Sequence, residues 1–188
     1  MTSTQIISQA IEQIRENELI FASKFYAQKQ GEKVTESAYY KTLERLCKAG
    51  ELCKIAKGTY YRPKESKYWI VPPSQNEIVA VFTDKEKGTV LGYALYNSLK
   101  LTTQVFKTVE VFSSALEQQT KSIRNVLLQF CNLAYTPEVN DMIHIKKVLQ
   151  NFGEIQDINY SQFIQYSAQF SESYNDKIFE QVYQQRRY

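Results

Sequence analysis

Cysteine and histidine are scarce in this chain of 188 residues, which carries three of the first and one of the second. The cysteines, Cys47, Cys53 and Cys131, are an odd and scattered set, which suits a reducing cytoplasm and no disulfide framework. Cys47 and Cys53 stand six apart, and His144 lies far downstream. Structural zinc needs four ligands at close spacings such as C-x2-C, so no metal site is expected. A lone histidine with no nucleophile pattern beside it is read as a surface or half-buried side chain and not as a general base. No apolar run approaches the roughly 18–20 residues that span a bilayer. The start, MTSTQIISQAIEQIREN, shows neither a basic n-region nor a small-residue cleavage site, so a cytoplasmic protein with no membrane partner is expected. Gly88-x-x-x-Gly92 lacks the Gly-Lys-Ser/Thr of a phosphate loop. Phe112-Ser113-Ser114 is not followed by the Asp-x-Asp that a nucleotidyltransferase needs for its metals. The sequence therefore predicts no enzyme and no cofactor.

What is present favours a folded protein of two small parts. Hydrophobic residues make up 43% of the chain, enough for a real core. Its length is generous for one compact unit and comfortable for two. Net charge is +3, unevenly placed. Residues 1–67 hold 12 Lys/Arg against 8 Asp/Glu, whereas residues 68–188 hold 11 against 12. The basic excess lies early, the sign of a phosphate-binding surface.

The segment Thr35–Arg62, TESAYYKTLERLCKAGELCKIAKGTYYR, reads as a helix followed at once by a hairpin. Thr35 is the N-cap and Glu36 favours the positive end of the dipole. Gly50 supplies a left-handed stop. Tyr39, Leu43 and Leu46 share one face and should point inward. Leu52–Ala56 and Thr59–Arg62 flank a Lys57-Gly58 turn. Before this segment, residues 4–16 form an amphipathic helix capped by Ser3, and residues 22–30 a shorter one closed by Gly31. A basic-faced helix and then a basic hairpin is the layout of a winged helix-turn-helix, in which one helix enters the major groove while the wing reaches the neighbouring backbone.

The expected fold class is α+β: a winged helix-turn-helix over residues 1–65, a linker over 66–73 and a mixed α/β domain over 74–188. In the linker, prolines at both ends break regular structure, and Tyr68-Trp69-Ile70-Val71 is expected to pack as a strap. Ser74-Gln75-Asn76-Glu77 is a capping box for a helix burying Ile78, Val79 and Phe82. Gly92 starts a short helix, and Val105–Phe112 and Arg124–Cys131 read as strands. Thr136-Pro137-Glu138 opens a helix with Val139, Met142, Ile143, Leu149 and Phe152 inward. Ser161–Phe170 and Ser173–Arg186 complete the chain as helices.

The DNA-binding residues expected from this layout are Ser37, Tyr40, Lys41 and Arg45 in the groove, with Thr35 and Lys33 at the helix start. Lys54, Lys57, Thr59 and Arg62 would touch the backbone from the wing. The plainer reading makes all of these the solvated face of an amphipathic helix and its hairpin, or a protein-interaction surface, and Glu44 in the middle of the face weighs against deep insertion. Tyr39-Tyr40 and Tyr60-Tyr61 could stack on single-stranded bases, but one Tyr of each pair is expected to face the core.

Two segments together, LCKAGELCKIAKGTYYRP and GTVLGYALYNSLKLTTQV, resemble the AbiEi-like antitoxins of bacterial abortive-infection, type IV toxin–antitoxin systems. The matching positions are Gly88, Gly92, Ala94, Leu95, Leu101, Thr102 and Gln104, while Lys100 stands where that family usually has Gly. The resemblance implies an N-terminal winged helix that binds operator DNA and represses its own operon. It also implies a C-terminal domain needed for antitoxicity and a nucleotidyltransferase toxin as functional partner. A second copy on an inverted repeat would favour dimerisation on DNA. The alternative is a protein-interaction adaptor that uses the same fold without touching DNA.

Overall fold

The structure, a computed structural model, describes residues 2–29, 34–65 and 69–184. It is mixed α+β and divides into two compact units, Met1–Ile78 and Val79–Tyr188. Among the described residues no helix is long and apolar enough to cross a membrane.

The first unit begins with α1 (Ser3–Glu12). Its cap is Thr2, one residue earlier than expected: the Thr2 hydroxyl accepts from the Gln5 amide, and Gln5 Oε1 accepts from Thr2 N at 2.8 Å. The helix also stops short of residue 16, ending at Glu12 with Gln13 as its C-cap, and Asn17 then turns the chain at φ 61°. A strand that the sequence did not suggest, β1 (Leu19–Phe21), follows, and then α2 (Ala22–Lys29). Gly31 and Lys33 lie outside the described residues.

Next come α3 (Glu36–Ala49), β2 (Cys53–Ala56) and β3 (Thr59–Tyr61). Gly50 closes α3 at φ 79°, the left-handed region where a side chain is strained, and Glu51 N donates to Leu46 O at 3.0 Å. The sheet order is β1-β3-β2, all antiparallel, with Leu19 opposite Tyr61 and Phe21 opposite Thr59. Ile7, Ile11, Ile20, Val34, Tyr39 and Leu43 pack the core beneath it.

Part of the expected linker is regular: β4 (Lys64–Glu65) pairs antiparallel with β5 (Ile70–Val71). Tyr68 lies outside the described residues. Trp69 is 67% exposed and Ile70 is exposed too, so these two do not form the packed strap that their hydrophobicity suggested. Lys64–Glu65 and Ile70–Val71 form a small two-stranded ribbon, and two residues per strand leave large side chains without a face to cover.

The division between the units falls within α4 (Gln75–Thr83), whose capping box closes through Ser74 N to Glu77 Oε2 at 2.7 Å and Glu77 N to Ser74 Oγ at 3.2 Å. A 3-10 turn (Asp84–Glu86) leads to β6 (Gly88–Leu91) and α5 (Gly92–Ser98). After these come β7 (Val109–Ser113), β8 (Thr120–Ile123) and β9 (Val126–Phe130). The sheet order is β6-β7-β9-β8, with β7 and β9 parallel and the outer pairs antiparallel. A strand starting at Val105 was expected, but Val105 is exposed and β7 begins four residues later. At Gly88 an added Cβ would lie 2.3 Å from Phe112 O and 2.4 Å from Phe82 O, so only glycine allows β6 to approach so closely.

Three helices complete this unit: α6 (Pro137–Asn151), α7 (Tyr160–Ser173) and α8 (Asp176–Gln184). Leu91, Leu95, Leu101, Tyr135, Met142 and Val148 anchor its core. Leu149, expected inward, is exposed, and Lys146 lies inside instead. The final helix was expected to reach Arg186, which lies outside the described residues.

His144 joins α6 to β6, its Nε2 lying 2.6 Å from Thr89 Oγ1. Burial pulls its pKa down to about 4. As pH falls from 6.5 towards 4, the unfolded chain takes up a proton that the folded chain refuses, so stability present above 6.5 is lost. The shift corresponds to about 3 kcal/mol at most. Urea denaturation at pH 7.5 and 4.5 should therefore show a pH-dependent loss that His144→Gln reduces by about 2 kcal/mol.

Candidate nucleic-acid interface

The burial of Tyr39 sets the outward face of α3. Its hydroxyl donates to Ala22 O at 3.0 Å, and its ring centroid lies 5.1 Å from that of Tyr26 and 6.3 Å from that of Phe25. With Tyr39, Leu43 and Leu46 turned inward, helical geometry sends Ser37, Tyr40, Lys41, Glu44, Arg45 and Lys48 outward, and all six are exposed. Tyr40 is 42% exposed and meets Tyr39 edge to face. Tyr60 is half-buried while its neighbour Tyr61 is buried, and burial, with Cys47 and Tyr40 nearby, pushes the Tyr60 phenol up. These rings are engaged in packing.

Glu44 and Lys48 form an exposed i, i+4 pair at 2.8 Å. Lys48 holds the Glu44 carboxyl below its usual range, first by the hydrogen bond and then by charge, so Glu44 is already matched by a cation. Lys41 and Arg45 remain on α3, and Lys54 and Lys57 on the β2–β3 hairpin, all exposed and with no ion pair among the described residues. Gly58 O accepts from Ala22 N at 3.0 Å, which ties the turn to the start of α2.

Three of the expected contact residues have other work. Thr35 is exposed and its hydroxyl accepts from Ala38 N at 3.3 Å, so it caps α3 as read. Thr59, expected at the wing surface, is 0% exposed; β1 covers its strand, and a side chain without surface cannot reach a phosphate. Arg62, also expected at the wing, turns its guanidinium back to α1: Nη1 donates to Glu12 O at 2.6 Å and to Ile14 O. A cation at a helix C-terminus satisfies carbonyls that have no partner within the helix and matches the dipole. α1 has no basic residue in its own last turn, and Arg62 reaches it from 50 residues away. Sequence proximity gave no signal for this role.

Cys47 and Cys53 are half-buried free thiols. Burial, with Cys53 adding to it, pushes the Cys47 thiol up, so Cys47 stays protonated and packs as a small hydrophobe. Among the described residues no cluster of His, Cys, Asp or Glu could hold a metal ion.

In class, this is an α+β protein whose first unit joins helices to a small antiparallel sheet and presents exposed cations on one helix and the adjoining hairpin. Residues 6–152 match a family of unknown function, DUF6088, and the chain belongs to that family. No curated protein matches the sequence.

Replacing Arg62 with Ala strips α1 of a charged cap and should lower stability by about 1–3 kcal/mol in urea denaturation. The Thr59 hydroxyl is buried and has no hydrogen-bond partner among the described residues. Thr59→Val should therefore leave stability unchanged or raise it, with the same urea curve as the measure.

Proposed function

We propose that the first unit is a winged helix-turn-helix that binds double-stranded DNA, and that the chain is an antitoxin-like transcriptional repressor of the AbiEi type. The observation that carries the reading is the exposed cationic set Lys41, Arg45, Lys54 and Lys57, distributed over α3 and the hairpin that follows it. In this reading α3 lies in the major groove and the Lys57-Gly58 turn meets the flanking phosphates. Arg45 is the residue suited to a bidentate contact with guanine. Lys41, Lys54 and Lys57 position the unit on the backbone, and Ser37 and Tyr40 supply hydroxyls at the groove.

Further support comes from β1. Pairing with β3 ties the hairpin to the helices, so a wing of this kind is held at a fixed place relative to α3. The Glu44–Lys48 pair also removes the main objection to the face, an uncompensated carboxylate. The repressor acts in the cytoplasm and has no catalytic step of its own. It occupies an operator near its own promoter, with a second copy on the other half of an inverted repeat. The functional partner is a nucleotidyltransferase toxin, and the second unit serves antitoxicity.

Arg45→Ala combined with Lys57→Ala alters only exposed side chains and should abolish a gel shift on the upstream DNA while circular dichroism stays unchanged. Where residual binding can be measured, the slope of log K against log salt should flatten by about 1, for the one phosphate that Lys57 no longer neutralises. Unchanged affinity in the double variant removes both residues from the interface. Co-purification with a neighbouring gene product, together with no DNA affinity in the parent chain, favours the adaptor.

A further inference from the structure

Between α6 and α7 lies a cavity of about 240 Å³ whose wall is made by Asp141, Tyr166, Gln169, Phe170 and Ser173. The four residues from α7 stand at i, i+3, i+4 and i+7, so they form one stripe of that helix, and Asp141 comes from the first half of α6. Tyr166 and Phe170 also pack against the core of the second unit, which holds their rings in place.

Three polar side chains in this wall are unused by the chain itself. Among the described residues Asp141 makes no ion pair and accepts no hydrogen bond, and neither the Tyr166 hydroxyl nor the Gln169 carboxamide has a hydrogen-bond partner. Ser173 differs, because its hydroxyl donates to Phe170 O at 3.2 Å. No Lys or Arg is among the described residues that line the cavity, and α7 carries none. Partial burial, with Glu138 one turn earlier adding to it, pushes the Asp141 carboxyl above its usual range. Burial, with Asp141 nearby, pushes the Tyr166 phenol up to about 12. A carboxylate drawn partly out of water with no cation beside it is poorly satisfied, and a cationic ligand corrects that.

We propose that this cavity binds a small aliphatic amine through its primary ammonium group. An ammonium has three donors and no acceptor, and the Asp141 carboxylate, the Tyr166 oxygen and the Gln169 carbonyl oxygen offer acceptors in one wall. The bond to Asp141 is charge-assisted and supplies most of the affinity. The rings of Tyr166 and Phe170 favour a cation and give apolar surface to its methylene stem. The cavity is several times the roughly 30 Å³ that one water occupies, so an ammonium leaves room for a stem of a few carbons. Asp141 and Glu138 together disfavour an anion. This site is independent of the DNA-binding reading, because every residue in it belongs to the second unit.

Titration of the full chain with n-butylammonium chloride, followed by amide NMR shifts, tests the proposal against 1-butanol, tetramethylammonium chloride and sodium chloride. Butylammonium should bind saturably at one per chain, with shifts centred on residues 138–145 and 163–173. It should bind about tenfold or more tighter than the neutral alcohol and than sodium. Tetramethylammonium, which has no N–H to donate, should bind more weakly than butylammonium. Asp141→Asn keeps the shape and removes the charge, and should weaken binding about tenfold or more, with folding followed by circular dichroism. Tyr166→Phe keeps the ring and should weaken it about threefold, the cost of one lost hydrogen bond. Gln169→Ala, at an exposed position of α7, should also weaken binding and serves as a further variant should Tyr166→Phe fold poorly. No saturable shift with butylammonium overturns the proposal. So does 1-butanol, sodium or tetramethylammonium binding as tightly, or binding indifferent to Asp141→Asn.

Discussion

The first unit depends on the burial of one tyrosine. Tyr39 sits at 0% exposure, with its hydroxyl on the Ala22 carbonyl and its ring against Phe25 and Tyr26. A buried phenol keeps its place only where the hydroxyl finds a partner. That requirement fixes the rotation of α3 about its axis as well as its contact with α2. Once the rotation is fixed, the exposure of Lys41 and Arg45 follows, because residues two and six positions further along fall on the other side. The cationic face is thus a consequence of how the core is packed.

The hairpin is held by interactions that cross long stretches of chain. β1 pairs with β3, Gly58 O takes the Ala22 amide, Asn17 N donates to Arg62 O, and the Arg62 guanidinium caps α1. A two-stranded hairpin alone is marginal in water, and the third strand changes that. Arg62 shows how a charge in a basic segment can serve the fold: its partners are main-chain carbonyls of the same unit, so it adds to stability and not to the outward charge. Counting basic residues in the segment therefore overstates the charge available to a phosphate.

These observations also show which parts of the fold could be read in the residues. The caps at Thr35, Ser74 and Thr136, the stop at Gly50 and the hairpin about Lys57-Gly58 were legible because each is a local backbone requirement met by a residue nearby. The strands β1, β6 and β8 were not. β1 has three residues, and β6 and β8 four each, too few for an alternating pattern, and their partners lie far along the chain. Leu149 and Lys146 exchanged the places that hydrophobicity assigned them, since a long lysine can bury its stem while its ammonium finds a carbonyl. Within the expected interface, Lys41, Arg45, Lys54 and Lys57 were legible as exposed cations, whereas the burial of Thr59 depended on a strand that could not be seen.

The two units carry positive charge in physically different ways. In the first, the lysines and Arg45 stand on long stems in water, where salt screens them over about 8 Å at physiological ionic strength. Such charges suit a polyanion, which offers many phosphates and tolerates movement of the side chains. In the second, Lys146 is enclosed and held by a carbonyl, and Lys147 is held against a ring. Enclosed charges are screened far less and leave little freedom of position. Local placement of charge, more than its sum, distinguishes the two units.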